Sequence, residues 1–395
     1  MINDKQVRTC VSPGGCNYGL SVTSLTLQNF RNYSDRKFEF TASKVVFVGD
    51  NGRGKTNVLE AISVASVGKS WREVSFNKSP LRKGDLGGFH GTGSELGKAK
   101  KTCNLIQSSF TGEAALINLE TSQNDSYQVQ IFPRKRVFKK NGKQIPRKKQ
   151  LGEIPTLLFA PEYLEMFAAA KKSRQSFFDR FLCQLDPKYK ELLSQTIRVV
   201  KQKNAIFTSA RRELLSDNDI ASQLRPWNEI LQKNMPALWK SREIFLSEIE
   251  PLLQAELEKI SGNDDEISVF LTRGGMEDEK NFLLDFSQEI YAKRCLFSPT
   301  RDDFAFFYRG QPLMNTVSRG EVRSVLLALL SAQKQYFFAK TKKMPILLLD
   351  DCFSELDDNR QAGLERLCEG TQAFFTTTHQ EHFARFSGEV QKIEV

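Results

Sequence analysis

The sequence predicts an α/β fold in which a lobe of mixed sheet and helices is interrupted by an inserted helical lobe. Three observations support this prediction. Residues 45–48 form a β-branched strand that runs into a glycine-rich loop and then a helix. Residues 345–349 form a second apolar strand, of the kind buried on both faces in a parallel sheet. Between them, residues 163–260 place apolar side chains at helical spacing.

The glycine-rich loop, residues 49–56, reads Gly-Asp-Asn-Gly-Arg-Gly-Lys-Thr and fits the phosphate-binding pattern G-x-x-x-x-G-K-[ST]. Glycines let the backbone N–H groups close around phosphate oxygens, and the next helix adds partial positive charge. We expect Lys55 to reach the β- and γ-phosphates and Thr56 to offer its hydroxyl to Mg²⁺. A glycine-rich turn with a stray lysine is the alternative, which the flanking strand and helix disfavour. The predicted nucleotide-binding residues of this segment are Gly49, Asp50, Asn51, Gly52, Arg53, Gly54, Lys55, Thr56 and Asn57.

A strongly basic segment occupies residues 134–149, which hold nine lysines and arginines and no acidic residue. This segment carries nine of the ten net positive charges of the chain. Asn141-Gly142 at its centre predicts a type I′ hairpin turn. A hairpin arm lined with cations suits the phosphate backbone of DNA, and a merely solvated hairpin is the alternative. The candidate DNA-binding residues are Arg134, Lys135, Arg136, Lys139, Lys140, Lys143, Arg147, Lys148 and Lys149.

The helical segment that follows is explained by ordinary core-facing helices. Roughly 120 residues at ~1.5 Å each are too few for a long coiled-coil arm. The segment adds further candidates for DNA contact, namely Lys171, Lys172, Arg174, Arg198, Lys201, Lys203, Arg211 and Arg212. No base-reading motif is visible in the sequence, so we expect binding with little sequence preference.

A serine-glycine segment precedes the last apolar helix. Ser318 and Glu321 form the S-x-x-E pattern of a helix capping box. One interpretation is that this pattern only caps the helix. The functional interpretation keeps the cap and adds an anion, because a capped helix N-terminus with a nearby glycine suits a γ-phosphate. The residues concerned are Ser318, Arg319, Gly320 and Glu321.

The second apolar strand ends in two carboxylates, Asp350 and Asp351. Ligands bind at the carboxyl ends of parallel strands, so we expect Asp350 to lie beside the Mg²⁺ that Thr56 holds. Asp351, one residue on, is expected to orient or deprotonate the attacking water. A strand followed by an acidic turn is the alternative, and a phosphate-binding loop elsewhere in the chain disfavours it.

The order of these motifs is typical of one ATPase class. Lys55 and Asp350 lie 295 positions apart, far more than one βαβ unit needs. Residues 354–357 read Ser-Glu-Leu-Asp, and a last strand over residues 374–378 ends at His379. The motifs follow the order found in ABC-type ATPases: the phosphate loop, the serine-glycine signature, the double acid, the S-x-L-D turn and a polar residue at the end of the last strand. The predicted fold is therefore an ABC-type ATPase head, in which the signature completes the ATP site of a second subunit.

Within that class the chain resembles the RecF family of bacterial recombination and gap-repair ATPases, which are related to SMC heads. The likeness runs from about residue 22 to the end. It rests on Asn-Phe-Arg-Asn-Tyr at 29–33, the loop segment 52–62, Phe-Ala-Pro-Glu at 159–162, residues 174–179, Arg-Asp-Asp at 301–303 and the segment 348–357. The resemblance implies that Arg31 contacts the nucleotide and that Asp357 and His379 act in the D-loop and switch.

The sequence departs from the family pattern at four points. Arg174-Gln175 stands where the family has a pair of arginines. Glu321 replaces the usual signature glutamine, as in SMC-type heads. Thr300 stands where the family has a histidine, so any role of that histidine is lost. The glutamine that many ABC proteins place near Mg²⁺ has no obvious match, and Glu162 is the nearest polar candidate.

Composition narrows the setting of the protein. At 395 residues the chain can bury one large core, and no apolar run approaches the roughly 20 residues that span a bilayer. No signal peptide is evident, and seven scattered cysteines without a C-x-x-C pair indicate reduced thiols of a cytoplasmic protein. A metal site at Cys10 and Cys16 is a minor alternative.

Changes of character along the chain suggest four segments. Residues 1–20 are expected to be a loose extension. Residues 21–162 form the first part of ATPase lobe I, with the phosphate loop and basic hairpin. Residues 163–295 form helical lobe II, and residues 296–395 return to the ATPase lobe with the signature and acidic strand.

These observations together predict a RecF-like, DNA-binding ATPase that uses ATP and Mg²⁺. ATP is expected to close a homodimer around duplex or gapped DNA, and slow hydrolysis to open it. The resemblance implies RecR and RecO as partners and a role in loading a recombinase at gaps. Another SMC-head-type ATPase linked to defence or to a nuclease is one alternative. A nucleotide-dependent DNA scaffold that does not hydrolyse ATP is the other.

Overall fold

The computed structural model describes residues 19–72, 105–106, 114–168, 171–274, 286–313, 317–353, 357–379, 386 and 388–395. The expected N-terminal extension lies almost entirely outside the described residues, as do Cys10, Cys16 and residues 354–356 of the S-x-L-D turn. The chain divides into two compact units. Unit one comprises Met1–Ala160, Lys343–Ser354 and Cys368–Val395, and unit two comprises Pro161–Lys342 and Glu355–Leu367.

Unit one contains a five-stranded sheet in which every neighbouring pair is parallel. Its strands are β3 (Lys44–Val48), β8 (Thr156–Phe159), β12 (Ile346–Leu349), β13 (Ala373–Thr377) and β14 (Val390–Glu394), in the order β14-β3-β13-β12-β8. Strands β3, β8, β12 and β13 are almost wholly buried, which explains their continuous apolar sequences. The register pairs Thr377 with Val48 and Leu349 with Phe375, so β3, β12 and β13 end at one edge.

A second sheet of unit one is antiparallel and has six strands. They are β1 (Val22–Phe30), β2 (Tyr33–Glu39), β4 (Ala115–Thr121), β5 (Ser126–Ile131), β6 (Arg136–Lys140) and β7 (Lys143–Ile145), in the order β2-β1-β4-β5-β6-β7. The mixed strand directions expected for this lobe are thus divided between two sheets. Asn141 and Gly142 both have positive φ, 51° and 76°, as the predicted type I′ turn between β6 and β7 requires.

Among the described residues, unit one also contains the helix α1 (Lys55–Val67) and the short helix α2 (Arg147–Gln150). Helix α1 follows the glycine-rich loop as predicted and is buried along nearly its whole length. Because it is apolar on all sides, its position between surrounding elements is fixed by packing rather than by one amphipathic stripe.

Unit two is mainly helical. Its helices are α3 (Pro161–Ala168), α4 (Lys171–Leu185), α5 (Pro187–Glu213), α6 (Asp217–Ser261), α7 (Ser287–Ala292), α8 (Arg319–Thr341) and α9 (Asp358–Cys368), whose last residue falls in unit one. A 3₁₀ turn spans Pro299–Arg301. A small antiparallel sheet joins β9 (Ile267–Thr272), β10 (Asp303–Tyr308) and β11 (Gln311–Pro312), in the order β11-β10-β9.

Helices α5 and α6 form a short antiparallel pair, as the limited length of the lobe predicts. Asp186 caps α5, Ser216 caps α6, and only residues 214–216 connect them. The 27 residues of α5 correspond to about 40 Å of helix, since each residue adds about 1.5 Å.

The second unit extends further along the chain than the helical lobe of residues 163–295. Residues 296–342 were grouped with the ATPase lobe in the sequence analysis, and they lie in unit two. The cause is packing, because the C-terminal part of α8 runs against α6. The Tyr336 hydroxyl and the Lys340 ammonium both donate to Glu248, at 2.5 and 2.8 Å.

A buried arginine organises the core of unit two. Arg242 on α6 has no exposed surface and forms ion pairs with Asp302 and with Asp179, the latter at 2.8 Å. Its Nε also donates to the Tyr189 hydroxyl at 2.9 Å. Burial raises the pKa of Asp302 to about 6, while the Arg242 guanidinium lowers it and so favours the charged carboxylate.

The neighbouring blocks of family likeness serve the same core. Arg174 donates through two nitrogens to the two carboxylate oxygens of Asp303, both at 2.8 Å. Asp179 on α4 and Asp302 beside β10 are thus joined through α6. The segments 174–179 and 301–303 therefore hold the helical unit together.

Among the described residues, no helix combines the length and the apolarity that a bilayer crossing requires.

Replacing Arg242 with methionine should lower the free energy of unfolding by about 3–5 kcal/mol, because two buried carboxylates lose their counter-ion. Denaturant unfolding of the purified protein would measure the loss. Arg225→Met on the same helix is the matched control, since the Arg225 side chain is 83% exposed. Equal stability of the two variants would contradict a structural role for the buried cluster.

Candidate nucleotide site and basic hairpin

The loop between β3 and α1 has the backbone that a phosphate-binding loop needs. Gly52 and Gly54 have φ of 85° and 112°, a region that residues with a Cβ seldom adopt. A Cβ on Gly54 would also lie 2.5 Å from the Asn32 amide nitrogen and 2.9 Å from the Tyr33 hydroxyl. Gly54 is therefore required both by conformation and by the close approach of the opening β1–β2 segment.

Gly49, the first glycine of the pattern, is required for a different reason. The end of β14 passes beside it, and a Cβ on Gly49 would lie 2.3 Å from the Val395 carbonyl oxygen. The Val395 N–H donates to the Val48 carbonyl at 3.0 Å, which fixes this strand against β3. The loop thus begins where two parallel strands end side by side.

Lys55 lies beneath the loop. Its Nζ donates to the carbonyls of Gly49 and Asp50 at 2.6 and 2.9 Å. Burial lowers the pKa of Lys55, and the carboxylates of Asp350 and Asp351 raise it in opposition. The ammonium is therefore held inside the loop at the point where bound phosphates would meet it.

The two predicted metal ligands are in direct contact. The Thr56 hydroxyl donates to Asp350 Oδ1 at 2.8 Å, although 294 positions separate them in the chain. Hydroxyl and carboxylate oxygens are the donors that Mg²⁺ prefers, so this pair fits the expected cofactor. Asp350 is 5% exposed, and its position is fixed by the end of β12.

Thr376 on β13 is a site residue that the sequence analysis missed. Its hydroxyl donates to the same Asp350 oxygen at 2.7 Å, and it accepts the Asp351 N–H at 2.9 Å. One threonine therefore contacts both members of the acidic pair. The signal available in the sequence was a run of three threonines at the end of the last apolar strand.

Asp351 is exposed and has φ of 47°, the left-handed region. A left-handed residue cannot continue the extended backbone of a strand, so β12 ends before Asp351. The predicted general base therefore lies on the turn beyond the sheet edge, in contact with solvent, while Asp350 is buried. The structure separates the two adjacent carboxylates into different environments.

A second layer of residues holds the loop helix. Arg31 donates to the buried carboxylate of Glu60 on α1 through Nε and Nη2, at 2.9 and 2.6 Å. The resemblance implies that Arg31 contacts the nucleotide, and in this structure its guanidinium is bound to the helix that begins at Lys55. Asn57 donates to Asn32 at 2.8 Å, and Asn32 donates to the Arg53 carbonyl at 2.7 Å. Asn32 was not predicted, although it belongs to the opening block of family likeness.

The predicted signature residues lie at the start of α8 in unit two. Ser318 Oγ accepts the Glu321 N–H at 3.2 Å, and Glu321 accepts the Ser318 N–H at 2.7 Å, so the predicted capping box is present. Glu321 also lies 3.7 Å from Arg309 in the β10–β11 turn. The carboxylate that replaces the usual glutamine therefore has partners within its own subunit.

The remaining predicted residues are placed as follows. Asp357 is exposed and accepts the N–H of Arg360 at 2.9 Å at the start of α9. His379 follows β13 and donates its N–H to the Thr377 hydroxyl at 3.1 Å. Glu162 lies in the first turn of α3 in unit two. Nothing in these contacts assigns Glu162 to a metal.

The nine cations of the basic hairpin are not equivalent. Arg136 donates to the Gly68 carbonyl at 3.0 Å, at the C-terminus of α1, and Arg147 packs against the same glycine. Lys140 pairs with Glu153 and Asp125 at 2.7 and 3.1 Å. These three side chains serve the fold of unit one. Lys139 on β6 is half-buried. The other exposed cations are Arg134, Lys135, Lys143, Lys148 and Lys149, of which Lys135 lies over the Phe132 ring.

Two cations proposed for DNA contact in the helical lobe are used elsewhere. Arg174 pairs with Asp303, and Lys203 is wholly buried against the carboxylate of Glu289. Apolar spacing alone could not separate these from exposed cations of the same helices. The exposed basic residues of α5 are Lys188, Arg198, Lys201, Arg211 and Arg212.

Comparison with known proteins agrees with this architecture. A family model described as AAA domain matches residues 24–269. The chain is 32% identical over 371 residues to the DNA replication and repair protein RecF of Streptococcus suis strain 05ZYH33, covering 91% of this chain and 93% of that protein. It is 29% identical over 376 residues to the protein of the same name from Leptospira interrogans serovar copenhageni, covering 93% and 94%.

Among solved structures, the recombination mediator protein RecF-ATP of the RecFOR pathway is similar, with a TM-score of 0.75 and 22% identity. The match covers 95% of this chain and 97% of that chain. At this level of identity the likeness establishes the fold.

Replacing Thr376 with valine keeps the shape of the side chain and removes the hydroxyl that joins Asp350 to Asp351. We expect ATP hydrolysis to fall about tenfold or more, since one hydrogen bond to a charged group contributes about 1.5–3 kcal/mol. ATP affinity should change much less, because Lys55 and the loop are untouched. Phosphate release and nucleotide titration would measure both, with the buried Thr121→Val of the other sheet as control. Wild-type hydrolysis by the Thr376 variant would remove this residue from the site.

Proposed function

Because the chain belongs to the RecF family, we propose that it is a DNA-binding ATPase of DNA replication and repair. The observation that carries the proposal is the hydrogen-bonded group of Thr56, Asp350 and Thr376 beside the loop that contains Lys55. An intact phosphate loop, a metal-binding pair and an exposed carboxylate are the parts that phosphoryl transfer to water needs.

Each part has a distinct task in this proposal. The loop N–H groups and Lys55 bind and orient the phosphates. Mg²⁺ held by Thr56 and Asp350 would neutralise charge on the β- and γ-phosphate oxygens. Asp351, exposed at the sheet edge, accepts the proton of the attacking water or orients that water. Thr376 links the carboxylate of Asp350 to the backbone N–H of Asp351.

Two subunits would complete the reaction centre. Ser318, Arg319, Gly320 and Glu321 of one subunit would meet the γ-phosphate bound by the other, as in ABC-type heads. Support comes from the capped N-terminus of α8, which presents backbone N–H groups suited to an anion. ATP would then favour the closed homodimer, and hydrolysis, which we expect to be slow, would release it.

Duplex or gapped DNA is the proposed partner, bound with little sequence preference. The exposed cations of residues 134–149 support backbone contact, because phosphates are recognised by charge and carry no sequence information. The family resemblance implies RecR and RecO as partner proteins and recombinase loading at gaps as the outcome. In support, the similar solved structure is described as a recombination mediator protein of the RecFOR pathway.

The two alternatives differ in what they require. A defence- or nuclease-linked ATPase of the SMC-head type is disfavoured, because the RecF relatives match this chain over more than nine tenths of both lengths. A scaffold that binds but does not hydrolyse ATP is disfavoured by the presence of Lys55, Thr56, Asp350 and Asp351. Phosphate release by the purified protein, with and without DNA, decides between hydrolysis and scaffolding.

The site predicts opposite behaviour for two substitutions. Lys55→Met should abolish or greatly weaken ATP binding, because the phosphates lose their cation. Asp351→Asn should bind ATP and lose hydrolysis by about a hundredfold or more, in the range seen when a general base is removed. That variant should accumulate as an ATP-bound dimer in light scattering. Hydrolysis at the wild-type rate by Asp351→Asn would show that another group activates the water.

The hairpin predicts a salt-dependent effect on DNA binding. The test variant changes five exposed cations to glutamine, namely Arg134, Lys135, Lys143, Lys148 and Lys149. Each phosphate contact releases about 0.9 counter-ion, so the slope of log affinity against log salt should shrink by up to about four units. ATP binding should be unchanged.

The control for the hairpin variant removes the same charge elsewhere. It changes five exposed lysines to glutamine, namely Lys233, Lys240, Lys259, Lys342 and Lys392. If both variants bind duplex DNA with the same affinity and salt slope, the hairpin variant acts only through net charge. The hairpin is then not the DNA-binding surface, and the exposed cations of α5 become the next candidates.

A further inference from the structure

Arg360, in the first turn of α9, contacts two of the segments that the proposed dimer would use. Its Nη1 pairs with Asp357 at 2.8 Å, and its Nε donates to the Ser324 hydroxyl at 2.8 Å. Ser324 lies one turn into α8, and its hydroxyl donates to the Gly320 carbonyl at 3.4 Å. One guanidinium therefore links the turn before α9 to the signature helix.

The same guanidinium lies close to the signature glycine. A Cβ on Gly320 would lie 2.9 Å from Arg360 Nη2 and 3.2 Å from both Cζ and Nη1. Arg360 therefore approaches the backbone at Gly320 closely, and an alanine there would require the guanidinium to shift.

Helix stability does not account for this placement. The N-terminus of α8 carries partial positive charge, so a cation beside it is unfavourable in itself. Asp357 supplies the compensating charge, although that residue is largely exposed. An arginine suits the position because its rigid fork can bind two partners and lie flat on a third, which a lysine cannot do.

We propose that Arg360 is a positioning residue for the contact between subunits, which holds the signature segment and Asp357 as one surface for the second copy of this chain. The inference rests on the proposed ATP-dependent dimer. Arg360 would act through Gly320 and Asp357. Its effect should therefore fall on dimerisation and on hydrolysis in the partner's site, and binding of ATP by a single subunit should be unaffected.

The first experiment compares Arg360→Ala, Arg360→Lys and Arg366→Ala in the full-length protein. Arg366 is the matched control, since it is an exposed arginine on the same helix whose guanidinium donates to the Lys259 carbonyl at 3.0 Å. ATP binding by the monomer and the melting temperature report on the subunit itself. Light scattering against protein concentration at saturating ATP reports on dimerisation.

We expect Arg360→Ala to bind ATP as the wild type does and to need about tenfold or more protein for dimerisation, the loss of one charge-assisted bridge. Arg360→Lys should also be impaired, because it keeps the charge without the fork. Dimerisation equal to that of Arg366→Ala would overturn the proposal. If the alanine variant is unstable, the lysine variant decides, and normal dimerisation by it overturns the proposal equally.

A mixing experiment separates action across the interface from action within one subunit. Arg360→Ala and Lys55→Met subunits are combined, and phosphate release is measured. If Arg360 serves the partner's site, the mixed dimer contains one sound loop facing one sound signature, and hydrolysis should recover toward half the wild-type rate. If Arg360 serves its own loop, neither site is complete, and an inactive mixture would refute the inference.

The failure of the proposed function is distinguishable from the failure of this inference. Wild-type protein that stays monomeric with ATP would remove the dimer itself. Wild-type protein that dimerises, together with Arg360→Ala that dimerises equally well, would remove only the role of Arg360.

Discussion

The carboxylate of Asp350 joins the nucleotide loop to the parallel sheet, and the geometry of the site depends on that link. One oxygen accepts hydrogen bonds from Thr56, at the start of α1, and from Thr376, on β13. Parallel pairing makes this possible, because β3, β12 and β13 end at the same edge. A shift of one residue in any of these strands would separate the three side chains and turn alternate residues to the other face.

Burial at this edge determines how the two acids differ. Asp350 is enclosed and its Oδ1 accepts two hydrogen bonds, which fixes the carboxylate in the position proposed for holding a cation. Asp351 lies beyond the end of the strand, with a left-handed backbone and access to solvent. Adjacent residues of identical chemistry therefore have different environments, and this difference is the physical basis for assigning them different tasks.

Much of the family likeness marks scaffolding. Arg242 forms ion pairs with Asp179 and Asp302 inside unit two, and Arg31 forms an ion pair with Glu60 on α1. If one partner of a buried ion pair is removed, the other charge is left uncompensated, so losing either member destabilises the fold. The cations of residues 134–149 can be divided in the same way. Arg136 and Lys140 bind partners within unit one, whereas others face solvent.

The sequence by itself determined the features that depend on neighbours in the chain. These are the phosphate loop between a strand and a helix, the double acid ending β12, the capping box at Ser318 and the turn at Asn141-Gly142. Each is a local pattern in which a few adjacent residues fix the backbone. The tertiary structure alone decided the role of Thr376 and the contact of Asn32 with the loop. It also decided the burial of Lys203 and the bridge made by Arg360. These properties arise from contacts between residues far apart in the chain. A single threonine, asparagine, lysine or arginine looks the same in the sequence whether its side chain is buried against a partner or exposed to water.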